Sequence, residues 1–114
     1  MQIKHRIENQ MAVMVPFGGL AASEVSGFRD LADKLLTDPT VKHFILNFEN
    51  VTTLDSSGIG ALVRIHKSLM SRGSGLILCE VGQKYLDILK ISGLTKIFRL
   101  FDNEMEALTS ISPS

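Results

Sequence analysis

Apolar and polar positions along the chain change their spacing in a regular order, and that order predicts its elements. Ile3 to Ile7 alternates weakly, and Met11-Ala-Val-Met-Val-Pro-Phe17 is a continuous apolar run. The polar break Glu8-Asn9-Gln10 between them suits a hairpin turn, so two antiparallel strands open the chain. Gly18-Gly19 is expected to stop the second strand. From Ser23 to Leu36 the residues Val25, Phe28, Leu31, Ala32, Leu35 and Leu36 recur at helical spacing and share one face. Ser23 is the expected N-cap, with Glu24 in the first turn. Thr37-Asp38-Pro39 ends this helix, because Pro disfavours helical backbone in the residue before it.

Val41 to Phe48 carries Phe44-Ile-Leu-Asn-Phe48, the dense apolar run of a strand buried on both faces. Val51-Thr-Thr-Leu54 reads as an extended connector. The clearest helix is Ser57 to Ser71, with Ile59, Leu62, Val63, Ile65, Leu69 and Met70 in one stripe and Arg72-Gly73 closing it. Leu76 to Val81 is the next strand, and a third helix runs from about Gln83 to Ser92. Ile97 to Phe101 is a last strand, and a final helix begins near Asn103, where Asn103 and Glu106 have capping-box spacing. The order β-β-α-β-α-β-α-β-α defines an α/β domain spanning 1–114. Its mixed sheet is expected to have about five strands, crossed by about four helices.

Composition narrows the function classes. The chain has 114 residues, enough for one domain, and its 45% apolar and 21% charged residues are those of a soluble fold. Twelve Lys and Arg balance twelve Asp and Glu, and the basic residues are scattered. Nucleic acid is therefore not an expected partner, nor is an anionic membrane, since both demand clustered cations. Cys79 is alone, so no internal disulfide forms and a reducing compartment is expected. It sits in an apolar run and reads as a small buried hydrophobe. His5, His43 and His66 lack metal-ligand spacing, and neither a metal nor a cofactor is expected. The N-terminal segment is charged and strand-patterned, and no apolar run approaches the roughly 20 residues of a membrane span. A cytoplasmic monomer is the simplest expectation.

The most informative segment is Asp55-Ser56-Ser57-Gly58-Ile59-Gly60, at the start of the clearest helix. Asp and Ser are the usual N-cap types, so one reading is a well-made helix start. The two glycines oppose it, since each costs about 0.5–1 kcal/mol relative to Ala inside a helix. Close approach of another backbone or a ligand would offset that cost. A helix start is also an anion site, so a phosphate carried on Ser56, with Ser57 as second choice, would accept bonds from the amides that follow, and spacing alone leaves open whether a phosphate is attached, merely bound or absent. No Gly-x-Ser-x-Gly elbow and no Walker-type loop occurs, and no catalytic residue is assigned.

This segment resembles the Asp-Ser-Ser/Thr-Gly-Leu/Ile-Gly motif of the STAS family, specifically the stand-alone bacterial anti-sigma-factor antagonists. Phe44-Ile-Leu-Asn-Phe48 upstream and Ile91-Ser-Gly-Leu94 with Ile97-Phe98 downstream support the resemblance, which covers essentially the whole chain. It implies a non-enzymatic protein that binds an anti-sigma factor, itself a serine kinase of the GHKL type, and so releases a sigma factor. Phosphorylation of Ser56 by that kinase would break the complex, and a serine phosphatase would reset it. The partner surface expected on this basis comprises Gly19, Leu20, Asp55, Ser56, Ser57, Gly58, Ile59 and Gly60, and Gly58→Glu is expected to abolish binding with little loss of fold. One departure is Ala21, where the family's Gly-x-Leu-Asp pattern carries an acid. It motivates an alternative, a STAS scaffold, signalling or transporter-associated subunit that is not phosphorylated.

Overall fold

The continuous apolar runs are central strands with both faces covered. A computed structural model describes residues 2–111, so residues 1 and 112–114 of the expected 1–114 span lie outside the described residues. β1 (Gln2–Glu8) and β2 (Met11–Leu20) form an antiparallel hairpin. Asn9 and Gln10 both adopt positive φ, 49° and 67°, as a two-residue turn matched to strand twist requires. After α1 (Val25–Leu36) come β3 (His43–Asn47), β4 (Val51–Leu54) and α2 (Ser56–Met70). β5 (Leu76–Cys79), α3 (Gln83–Ile91), β6 (Arg99–Phe101) and α4 (Glu104–Ser110) complete the order.

The sheet runs β1-β2-β3-β5-β6, parallel from β2 onward, with β4 paired to the far end of β2. Alternate residues of each central strand enter different cores. Ala12, Met14, Phe44, Leu46, Leu76 and Leu78 pack under α1, α2 and α3, whereas Met11, Val13, Ile45, Ile77 and Cys79 pack under α4 around Ala107. Burial on both faces is why these strands show no alternation in sequence.

Four expectations need correction. Gly18-Gly19 does not stop β2, which continues to Leu20 through a register shift between the two glycines. Pairing with β3 ends at Met14; Gly18 takes φ 135°, open to glycine, and from there the strand pairs with β4. Val51–Leu54 is accordingly a sixth strand rather than a connector. Its brevity and its two exposed threonines hid it. Ser23 does not cap α1, because residues 21–24 form a turn in which the Ala21 carbonyl accepts the N–H groups of Glu24 and Val25 at 2.9 and 2.8 Å. Ile97 and Phe98 follow a 3₁₀ turn (Leu94–Lys96), which shortens the last strand to Arg99–Phe101. At α4 the Asn103 carboxamide accepts the Glu106 N–H at 2.9 Å, as the capping spacing predicts.

α2 lies across the sheet and is held by Ala61, Leu62, Ile65 and Leu69, all buried. Leu62 has no exposed surface. Leu62→Ala is expected to lower stability by about 2–5 kcal/mol, read from urea unfolding, because the cavity left there has no solvent to fill it. A loss below about 1 kcal/mol would contradict this packing.

Candidate functional site

The site is built where β4 hands the chain to α2. Asp55 has extended backbone, φ −124° and ψ −172°, and its N–H donates to the Leu20 carbonyl at 3.2 Å, prolonging the β2–β4 pairing. Its Oδ1 accepts the N–H groups of Ser57 at 2.9 Å and Gly58 at 3.2 Å, two donors left free at any helix start. Its Oδ2 accepts the Ala22 N–H at 3.1 Å, from the loop between β2 and α1. One carboxylate thus caps α2 and ties it to a segment 33 residues earlier. The bond from Ala22, then that from Gly58, holds the Asp55 carboxyl below its ordinary 3.8.

This arrangement corrects the expectation that the amides following Ser56 would receive a phosphate. The amides of Ser57 and Gly58 already serve Asp55, so a phosphate on Ser56 would not find them free. Asp55, not either serine, is the N-cap, and Ser56 is the first residue of the helix.

The two glycines of the motif have different explanations. A Cβ on Gly58 would overlap the Leu20 carbonyl oxygen, with the carbonyl carbon at 2.8 Å and the Leu20 Cβ at 2.9 Å. Helix α2 rests its first turn directly on the backbone of β2, as the close-approach reading requires. A Cβ on Gly60 would meet nothing within 4 Å, so the chain itself does not demand that glycine. The same contact overturns the expectation for Gly58→Glu, whose first carbon already collides with β2.

Gly19 is also fixed from within. A Cβ there would run into the Glu24 carboxylate and the Thr53 hydroxyl, and Glu24 Oε2 accepts the Gly19 N–H at 2.9 Å. Gly19, Leu20 and Gly58 are buried and shape the surface from beneath, whereas Asp55, Ser56 and Gly60 are exposed and Ser57 and Ile59 half-buried. Where the family pattern carries an acid, Ala21 contributes its carbonyl to the turn. The neighbouring carboxylates, Glu24 and Asp55, both face backbone amides.

Ser56 and Ser57 open onto a groove of about 370 Å³ between α1 and α2, with Arg29 and Arg64 in its lining. Neither arginine was picked out by sequence reasoning. Arg64 stands two turns beyond Ser57 on one helix face, a spacing visible in the sequence, but the approach of Arg29 depends on how α1 and α2 pack. The other candidates lie elsewhere. His66 Nδ1 accepts the Leu76 N–H at 3.0 Å with its ring edge-on to Phe98, and His43 Nδ1 bonds the Ser74 hydroxyl at 2.8 Å. Burial lowers both imidazoles, that of His43 with help from Arg99. Cys79 is buried, and burial pushes its thiol up to about 12. No helix among the described residues is long and apolar enough to cross a membrane.

Two expected outcomes follow from this geometry. Gly58→Ala loses at least about 2 kcal/mol of stability through overpacking against Leu20, whereas Gly60→Ala gains up to about 1 kcal/mol. Parallel denaturant titrations separate them, and equal effects would contradict the assignment. For Asp55, a folded pKa below the unfolded one means that its charged form stabilises the fold above about 3.8, and that this contribution is lost as pH falls through the folded value. Asp55→Asn is therefore less stable than the parent at neutral pH, with the gap closing below about pH 3.8. A gap that does not change with pH would show that the charge is not what holds the clamp.

Similar proteins give the arrangement its context. The STAS domain family matches residues 2–107. An anti-sigma F factor antagonist of Paenibacillus polymyxa is 32% identical over 79 residues, 69% of this chain and 68% of that one. A Thermotoga maritima protein assigned as an anti-sigma factor antagonist superposes with a TM-score of 0.90 at 21% identity, covering 97% of this chain and 95% of that one. The Bacillus cell fate determinant SpoIIAA in its phosphorylated form superposes with a TM-score of 0.76 at 22% identity, covering 96% and 99%. At such identities the structures establish a shared fold, and the sequence match establishes more. Running from the first strand to the last helix, it admits one conclusion: this chain belongs to the STAS domain family.

Proposed function

We propose that the protein is an anti-sigma factor antagonist that binds an anti-sigma factor, and that a phosphate on Ser56 ends the binding. The observation that carries this reading is the pairing of an exposed Ser56 with a fixed backbone. Ser56 is the first residue of α2, while Asp55 beside it holds that turn through three amide bonds. A hydroxyl there is open to an incoming kinase without any unfolding. Ser57 is the second choice because it is half-buried.

The names of its relatives support the role, since the Paenibacillus polymyxa protein is an anti-sigma F factor antagonist. The phosphorylated form of SpoIIAA shows that this fold accommodates the modification in a neighbour. On this reading the anti-sigma factor is itself a serine kinase of the GHKL type. It moves the γ-phosphoryl group of ATP to Ser56 Oγ, which loses its proton as ADP leaves, and a serine phosphatase restores the hydroxyl by hydrolysis.

Charge explains how one phosphate would suffice. It adds roughly −1.5 to −2 at neutral pH, to a chain whose formal charge is zero. The amides of Ser57 and Gly58 cannot absorb that charge, because Asp55 occupies them. A partner surface that accepts a neutral serine therefore meets a dianion and must either repel it or desolvate it.

Incubation with an anti-sigma kinase from the same cell and ATP is expected to add one phosphate by intact mass, and none to Ser56→Ala. Binding to that kinase, measured by titration, is expected to be lost in the phosphorylated protein. No added phosphate would overturn the reading and favour the unphosphorylated scaffold or transporter-associated role, whereas a phosphate that survives Ser56→Ala would overturn Ser56 as the switch and point to Ser57 or another acceptor.

A further inference from the structure

The groove beside Ser56 contains two cations that the switch described above leaves without a role. Arg29 lies one turn beyond Val25 on α1, and Arg64 lies two turns beyond Ser57 on α2. Both line the groove that Ser56 and Ser57 open onto, and both are exposed. Arg64 pairs with Asp33 at 3.1 Å, with both side chains about half in solvent at 59% and 48% exposure. Such a pair rearranges readily. Among the described residues no carboxylate lies within ion-pair distance of Arg29.

The groove is also kept open between the arginines and the serines. Gly60 and Ala61 line it along α2, and a Cβ on Gly60 would meet nothing within 4 Å. Glycine there costs helix stability without any internal contact in return. With the amides of Ser57 and Gly58 committed to Asp55, the guanidinium groups are the positive charges of this groove.

We propose that Arg29 and Arg64 form an intramolecular receptor for a phosphate on Ser56, drawing it into the α1–α2 groove and closing that groove to the partner. The inference rests on the Ser56 reading above and adds the residues that receive the modification. A phosphate presents three acceptor oxygens, and each guanidinium offers a planar fork of donors that matches them. The modification then acts twice, by charging the surface and by filling a cleft that the unphosphorylated protein presents open.

The test installs phosphoserine at position 56 during translation, without any kinase, and follows the phosphorus resonance through a pH titration at about 0.15 M salt, where distant charges are screened. Neighbouring cations favour the dianion, so the second phosphate pKa is expected to lie about one unit below its value in the Arg29→Gln/Arg64→Gln double variant. Lys67→Gln, on the same helix but lining a separate cavity, is expected to leave the parent value unchanged. Equal values in parent and double variant, or an equal change with Lys67→Gln, would overturn the receptor. Both arginines are exposed, and an unfolding curve confirms that the double variant is folded. Because the phosphate is placed directly, a kinase assay that fails on the parent chain overturns the Ser56 switch and leaves this measurement standing.

Discussion

The Asp55 carboxylate accepts backbone N–H groups from Ala22, Ser57 and Gly58, and the geometry around Ser56 depends on that single group. A helix start normally leaves its first amides to water or to a ligand. Here one side chain takes two of them and reaches across to the β2–α1 loop with its other oxygen. The cost of fixing three segments together is met by charge-assisted bonds, which are stronger than neutral ones. Ser56 is consequently presented on a rigid turn, with its neighbours' donors already used.

The glycine that follows completes the platform. Gly58 lets α2 sit on the Leu20 carbonyl, and Leu20 is where β2, redirected at Gly18, pairs with β4. The bulge, the short sixth strand and the cap therefore form one unit. Each brings the serine to the end of the sheet where strand termini and helix starts meet, the usual location of sites in open α/β folds. The opposite end of α2, with His66 on Leu76 and Arg72 on the carbonyls of Val41 and Leu36, serves to anchor the helix.

Much of this was legible in the residues. The central strands announced themselves as unbroken apolar runs, and α1, α2 and α3 as three-and-four spacing. The hairpin was visible at Glu8-Asn9-Gln10. Asp55-to-Gly60 stood out because glycines in a first helical turn need a reason. Local pattern could not carry the rest. Whether Gly58 or Gly60 meets a backbone depends on β2, which is distant in sequence, and Asp55's choice of Ala22 over solvent depends on loop placement. β4 was missed because four residues with two exposed threonines have no apolar signature. Arg29 and Arg64 looked like ordinary solvated helix charges, and only the packing of α1 on α2 brings them to one groove.

The start of α2 is a preformed platform whose backbone stays in place when Ser56 is modified. Amide hydrogen exchange at Ser57 and Gly58 is the decisive comparison, made between the unmodified protein and one carrying phosphoserine at position 56. Both amides are bonded to Asp55 in the unmodified chain. Their protection is expected to be retained when the phosphate is present. Loss of protection at both would mean that the modification melts the turn, and would contradict a platform that stays in place.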